Sequence, residues 1–185
     1  MKVLVISASP NDDGLTAACA AAAVTGATEA GAEAEEVRLN DLHIEACHAC
    51  ANGWGTCRSE HHCQTPDDFE PLHERIIAAG AYVLVTPVYW GEMSEVAKSF
   101  TDRLRRCEAT LGAGSRMADH PVIAVAAAGG SGGGMITCLG SMERWIQHTR
   151  ARTFDLIGVN RWSREYKLVA IREAARAMVQ TPHPQ

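Results

Sequence analysis

Lys2-Val3-Leu4-Val5-Ile6-Ser7-Ala8-Ser9-Pro10-Asn11-Asp12-Asp13-Gly14-Leu15-Thr16 is the stretch whose reading decides the fold. Val3 to Ile6 is an unbroken apolar run, as a parallel strand covered on both faces requires; a strand with one wet face would alternate. A turn of small polar residues follows. From Leu15 to Ala30 the chain is alanine-rich and predicts a helix closed by Gly31. The pairing of a short apolar run with a helical stretch recurs down the chain. Ala34–Leu39 predicts a weaker second strand. Thr65-Pro66-Asp67-Asp68 predicts a helix start, with Thr65 as cap, Pro66 in the first turn and the acids at the positive end of the dipole. Phe69, Leu72 and Ile76 form the apolar stripe of that helix. Tyr82–Val85 predicts a third strand, Ser94 the cap of a helix striped by Ala97, Phe100, Leu104 and Cys107, and Val122–Val125 a fourth strand. Met135–Arg150, Thr153–Val159 and Glu165–Gln180 predict a helix, a fifth strand and a closing helix. Five such alternations predict an α/β fold, a doubly wound five-stranded parallel sheet with helices on both faces. Ligands of such sheets sit beyond the carboxyl ends of the strands. The loops after the first, third and fourth strands are therefore the candidate site.

At 185 residues the chain is expected to form one domain over 1–180, with a cysteine-rich insertion at 43–64 and a tail at 181–185. Its 17 Lys and Arg against 22 Asp and Glu exclude a globally basic nucleic-acid binder. The charge is uneven: residues 1–140 hold 9 basic and 18 acidic side chains, residues 141–185 hold 8 and 4. In the basic part, Arg161 and Arg164 are candidates for receiving an anionic partner; a solvated helix face is the plainer reading. The apolar run at 3–6 is too short for a secretory leader, and the uncharged stretch Pro121–Met142 is broken by six glycines. A cytoplasmic, non-membrane protein is expected, and in that compartment cysteines stay reduced.

The first loop is neither G-x-G-x-x-G nor a P-loop. It offers the hydroxyls of Ser7, Ser9 and Thr16 beside a helix N-terminus, which suits a phosphate monoester held without lysine. The loop after the third strand, Thr86-Pro87-Val88-Tyr89-Trp90-Gly91-Glu92-Met93-Ser94, carries two adjacent aromatics that could form a stacking wall. The loop after the fourth strand, Ala128-Gly129-Gly130-Ser131-Gly132-Gly133-Gly134, spends backbone entropy that makes sense if a ligand must approach closely. Each also has a bland reading, as a capped turn, an aromatic cover of the core edge and a flexible loop.

Together, residues 2–16, 86–94, 98–104 and 128–134 resemble the NADPH-dependent FMN reductase and iron–sulfur flavoprotein branch of the flavodoxin-fold proteins. The resemblance implies strand order 2-1-3-4-5. It implies that Ser9, Leu15 and Thr16, with Ser7 beside them, hold the FMN phosphate. It implies that Pro87, Val88, Tyr89 and Trp90, in a loop with Thr86 and Gly91, hold the isoalloxazine, and that Gly129 and Gly130 line its other edge. It further implies NAD(P)H as cosubstrate, a role for Asp102 and Arg103 at a subunit interface, and a homodimer or tetramer. If NADPH is used, Arg161 and Arg164 are candidates for its 2′-phosphate.

Cys47, Cys50, Cys57 and Cys63 are spaced C-x2-C-x6-C-x5-C, with His43, His48, His61 and His62 interleaved. Four readings stand: a [4Fe–4S] cluster, structural Zn2+, free or reversibly oxidised thiols, and disulfides. Iron–sulfur members of the resembling family open C-x2-C-x2-C and follow with an acidic pair such as Asp67-Asp68; here the third position is Gly53. Cys19 and Cys107 read as packing residues. Cys138-x5-Arg144 matches the spacing of a cysteine phosphatase loop, but it falls inside a helix with Glu143 beside the arginine and is read as chance. The expected function is an FMN oxidoreductase that takes electrons from NAD(P)H. It would pass them to a small acceptor such as a quinone or flavin, or through a cluster to a protein. The alternatives are a flavodoxin-like electron carrier without a nicotinamide site and a non-redox metal-binding module.

Overall fold

A computed structural model describes residues 1–181; most of the expected tail at 181–185 lies outside the described residues. Five parallel strands, β1 (Lys2–Ser7), β2 (Glu33–Arg38), β3 (Ala81–Tyr89), β5 (Pro121–Ala128) and β6 (Arg152–Asn160), lie in the order β2-β1-β3-β5-β6. Counting parallel strands alone, this is the expected 2-1-3-4-5. A two-residue strand, β4 (Glu92–Met93), pairs antiparallel with the end of β3.

The apolar runs are explained by burial on both sides. Val3, Val5, Val83, Val85, Ile123 and Val125 pack against α1 (Leu15–Glu29) and α6 (Arg164–Gln180). Leu4, Ile6, Tyr82, Leu84 and Ala124 face the helices of the other layer, α3 (Phe69–Ile77), α4 (Glu95–Glu108) and α5 (Met135–His148). A single-turn helix, α2 (Thr56–Ser59), lies in the cysteine-rich insertion. The alanines of α1 let α6 come close: a Cβ on Gly26 would stand 2.0 Å from the Arg172 carbonyl oxygen. Edge strand β2 is weak in apolar residues because its outer side is wet, and Lys2 and Arg75 pair with its Glu35. No described helix is long and apolar enough to cross a membrane.

Two expected boundaries move. The third strand does not stop at Val85; it continues through Thr86-Pro87-Val88-Tyr89 and turns into β4, so those residues are strand rather than loop. Helix α3 starts at Phe69, not at Thr65. Asp67 and Asp68 are drawn across to another segment: the His43 amide donates to Asp68 Oδ2 (2.7 Å) and the Glu45 amide to Asp67 Oδ2 (2.9 Å). Asp67 Oδ1 also accepts from the Phe69 amide, so it satisfies one of the free N–H groups of the helix start that Thr65 was expected to cap.

Candidate functional site

The carboxyl ends of β1, β3 and β5 place the three loops along one edge of the sheet. At the end of β1, Ser7 is fully buried and its Oγ has no hydrogen-bond partner among the described residues. A buried hydroxyl left unpaired is costly unless a ligand or water completes it. Ser9 is differently used: its Oγ donates to the Asn11 carbonyl (2.6 Å) and accepts from the Asn11 amide (3.3 Å), closing the turn. Gly14 is the N-cap of α1 and brings no side-chain cap, so the first amides of the helix, including those of Leu15 and Thr16, have no side-chain acceptor. Ser7, Leu15 and Thr16 thus offer a free hydroxyl and free helix-start amides, as a phosphate needs.

The β3–β4 connection is a two-residue hairpin. Trp90 (φ 51°) and Gly91 (φ 82°) both take positive φ, the mark of the primed turns that fit the twist of paired strands. Tryptophan is rare in that region, and the turn sets its ring fully into solvent; Tyr89 beside it is also exposed. Thr86 is not part of this exposed surface. It is fully buried, and its Oγ1 accepts from the Ser94 amide (3.1 Å), tying the strand to the cap of α4. Pro87 is paired in the sheet opposite Ala127, and Val88 opposite Met93.

The glycine loop divides in two. Gly129 and Gly130 face open space, with nothing within 4 Å of where a Cβ would be. Gly134 (φ 78°) is jammed against the hairpin: a Cβ there would lie 2.5 Å from Gly91 Cα. Trp90, Gly91, Ser131, Gly133, Gly134 and Thr137 border one depression. The sequence reading did not single out Thr137, or Asn160, whose side chain lies against Gly132 and caps the turn to α6 by accepting from the Trp162 and Ser163 amides. An Asn at the end of the last strand is the one signal that could have pointed there.

The insertion brings Cys47, Cys50, Cys57 and Cys63 onto the wall of one pocket, which Arg103 and Arg106 also line. The donors are of the right kind for a thiolate-bound metal, yet among the described residues no three His, Cys, Asp or Glu side chains are gathered to hold an ion. Ala49, Ala51, Asn52 and Gly53 take positive φ in near succession, and Gly53 reaches 132°. That conformation favours glycine over a side chain at the position where a third cysteine would stand. All seven cysteines are free. Burial pushes the Cys19 and Cys138 thiols up to about 12, so neither is a nucleophile; Cys107 is raised as well.

Below the pocket lies a buried charge network that the sequence reading missed. Arg103 does not reach the surface expected of an interface residue. It is buried, donates through both terminal nitrogens to Asp67, lies 4.3 Å over the Phe69 ring and donates to Cys63 Sγ (3.2 Å). Burial alone would raise the Asp67 carboxyl; Arg103 and the Glu45 and Phe69 amides outweigh it and hold it below the usual range. Nearby, the His73 ring meets Glu108 (2.8 Å) and Glu70 (3.3 Å), and Arg116 donates to Glu108. Burial would raise Glu108, but His73 and Arg116 hold it down at about 2 from an ordinary 4.5. For His73, burial lowers and the two carboxylates raise, with a net rise above 6.5.

The signs fix a pH profile. The Glu108 contribution is complete above pH 4.5 and is lost as pH falls toward about 2. The His73 contribution is complete below pH 6.5 and is lost as pH rises through its higher folded value. In Glu108→Gln, the stability deficit relative to the unmodified chain is expected to shrink as pH falls from 4.5 toward 2, read as Tm by calorimetry. A deficit constant over that range contradicts this.

A parallel sheet of this order, with a hydroxyl-bearing loop entering a helix, an aromatic hairpin and a glycine loop at its carboxyl edge, defines a flavodoxin-like protein. Within that class the chain belongs to the NADPH-dependent FMN reductase family, whose sequence profile matches residues 1–153. It is 30% identical over 150 residues to an iron-sulfur flavoprotein from Methanosarcina thermophila, covering 79% of this chain and 73% of that one. It is 32% identical over 105 residues to an iron-sulfur flavoprotein from Methanocaldococcus jannaschii, covering 57% of this chain. That match spans only about half, 52%, of the relative's length. Among solved structures, an NAD(P)H:quinone oxidoreductase from Methanothermobacter marburgensis superposes with a TM-score of 0.74 at 21% identity, covering 100% of this chain and 99% of that one. A flavone reductase gives 0.75 at 18%, covering 97% and 62%. At these identities the superpositions establish the shared fold.

Proposed function

We propose that this chain is an FMN-dependent oxidoreductase that takes electrons from NAD(P)H and passes them to a small acceptor such as a quinone or flavin. The observation that carries it is the unpartnered, buried Ser7 hydroxyl beside the uncapped start of α1. Ser7, Leu15 and Thr16 would hold the FMN phosphate, with Ser9 shaping the turn through Asn11. Pro87, Val88, Tyr89, Trp90 and Gly91 would border the isoalloxazine on one side, and Gly129 and Gly130 on the other. Thr86 acts from behind, by fixing the strand to α4. Bound FMN supplies the capacity to accept hydride from a nicotinamide and return electrons to an acceptor. The chain's own part is to orient it. Tyr89 and Trp90 offer faces for stacking, while the open glycines leave room for a second planar ring.

We further propose that residues 1–180 act as one unit, with 43–64 as an insertion, in a homo-oligomer in the cytoplasm without nucleic-acid or membrane partners. Cys47, Cys50, Cys57 and Cys63 line one pocket and are candidate ligands of a [4Fe–4S] cluster or zinc, with reduced thiols as the alternative. Iron, sulfide and zinc analysis of anaerobically purified protein decides: about four iron and four sulfide per chain support a cluster, and far less than one iron or zinc per chain supports free thiols. For the activity, the FMN-loaded chain is expected to oxidise NADH or NADPH with a quinone as acceptor, followed by nicotinamide absorbance. Stable FMN binding without turnover of either nicotinamide would instead favour an electron carrier.

A further inference from the structure

We infer that Asn40, in the turn after β2, is a positioning residue for the loop that takes the FMN phosphate. It holds the carbonyls of Ala8 and Ser9 and thereby leaves the Ser9 N–H as a donor for that phosphate. The inference rests on the FMN site proposed above and adds to it a residue from the neighbouring strand end.

Ser7 is paired with Arg38 in the sheet, so the two chains leave their strands side by side. Beyond Arg38 the chain makes a single turn, Leu39–Asp41, anchored by the fully buried Leu39. Asn40 stands on that turn. Its side-chain amide lies 3.1 Å from the Ser9 carbonyl oxygen and 3.2 Å from the Ala8 carbonyl oxygen. A carbonyl oxygen only accepts, so the group that faces this pair is the NH2, and its two hydrogens match the two oxygens. The loop is gripped at other points too. The Ala8 amide donates to the Val85 carbonyl of β3 (2.9 Å), and Arg38 pairs with Asp12.

A phosphate at a helix start needs donors and is repelled by carbonyl oxygens. The segment Ala8-Ser9-Pro10 has few donors to give. Pro10 has no N–H, the Ala8 N–H is taken by Val85, and the Ser9 hydroxyl is spent on the Asn11 carbonyl. What remains is the Ser9 N–H, which has no acceptor among the described residues although Ser9 is almost fully buried. A buried N–H left unmet calls for a ligand or water. Its direction is set by Asn40. The Ala8–Ser9 peptide is trans, so its C=O and N–H point opposite ways. With the C=O turned to Asn40, the N–H faces the other side. Without the Asn40 NH2, nothing in the turn after β2 holds that peptide in this sense, and a carbonyl oxygen can take the place of the donor. The loss falls on the phosphate and leaves the flavin ring system untouched.

Titration calorimetry of the apo-protein with FMN and with riboflavin reads this, using Asn40→Ala, which removes the NH2 without adding a charge. Asn40 is exposed, so the variant is expected to keep the fold, checked by far-ultraviolet circular dichroism. FMN affinity is expected to fall at least about fivefold, the worth of about one net hydrogen bond, while riboflavin affinity changes less than about twofold. A merely structural part for Asn40 would weaken both flavins together, and that result overturns the inference. FMN affinity kept within about twofold of the unmodified chain overturns it as well. In both cases an unmodified chain that prefers FMN leaves the phosphate site standing. Riboflavin binding as tightly as FMN in the unmodified chain removes the phosphate site itself, and the role of Asn40 falls with it.

Discussion

Arg103→Ala is expected to lower the unfolding free energy by about 3–5 kcal/mol, the usual cost of removing one partner from a buried ion pair. Asp67 is the group left behind. It is buried, and its carboxylate is held by both terminal nitrogens of Arg103 together with the amides of Glu45 and Phe69. Without the guanidinium, a charge would remain in the interior with only two amides to meet it. The loss would not stop at one pair. Arg103 also donates to the Glu45 carbonyl (3.1 Å) and to Cys63 Sγ, so it joins both ends of the insertion to α4. Lysine is expected to recover little, because one ammonium cannot reproduce the two-pronged contact. Urea denaturation followed by circular dichroism measures this. A loss under about 1 kcal/mol for Arg103→Ala would show that the pair does not bear on stability.

Gly134→Ala should have the largest effect on the flavin edge. Its φ of 78° costs an L-residue about 1–2 kcal/mol, and its Cβ would stand 2.5 Å from Gly91 Cα and 2.8 Å from Gly91 N. Backbone cannot swing aside as a side chain can, so the hairpin and the glycine loop must part. Overpacking of this kind costs about 1–3 kcal/mol more. The strain falls at the sheet edge and not in its core. FMN affinity, read by quenching of flavin fluorescence, is expected to drop at least tenfold while the far-ultraviolet circular dichroism keeps its shape. Gly114→Ala, where a Cβ meets nothing within 4 Å and φ is not positive, is the control and should change neither. Equal FMN affinity in Gly134→Ala and the control would detach the Gly91–Gly134 contact from the site.

The parts of this molecule that could be read in advance are those set by local pattern. Val3–Ile6, Tyr82–Val85 and Val122–Val125 announce buried parallel strands because each must be apolar on both faces, and each is. Ser94 announces its helix because the cap is a local hydrogen bond, and its Oγ does accept from the Ala97 amide. What escaped is what depends on distant segments. Thr65-Pro66-Asp67-Asp68 has the composition of a helix start, but Asp67 and Asp68 answer to His43, Glu45 and Arg103, far along the chain. Arg103 sits in a charged helix sequence and reads as surface; only the tertiary fold shows it buried. Thr86 looked like a loop ligand and is a strand brace. The loop after β1 stands out as a place to look because ligands of a doubly wound sheet sit at its carboxyl edge, whereas the Ser9–Asn11 turn and the Gly91–Gly134 contact are products of backbone geometry that residue types do not reveal.

The carboxyl edge of the sheet is proposed to hold FMN by its phosphate, at Ser7, Leu15 and Thr16. Comparing FMN with riboflavin, which differs only by that phosphate, tests it most directly. Charge-assisted hydrogen bonds contribute about 1.5–3 kcal/mol each, and the helix start adds to them. Titration calorimetry on the apo-protein is expected to give FMN an affinity at least about a hundredfold above riboflavin, with the gap narrowing at least tenfold in Ser7→Ala. Equal affinity for the two flavins, or no binding of either, would contradict the account.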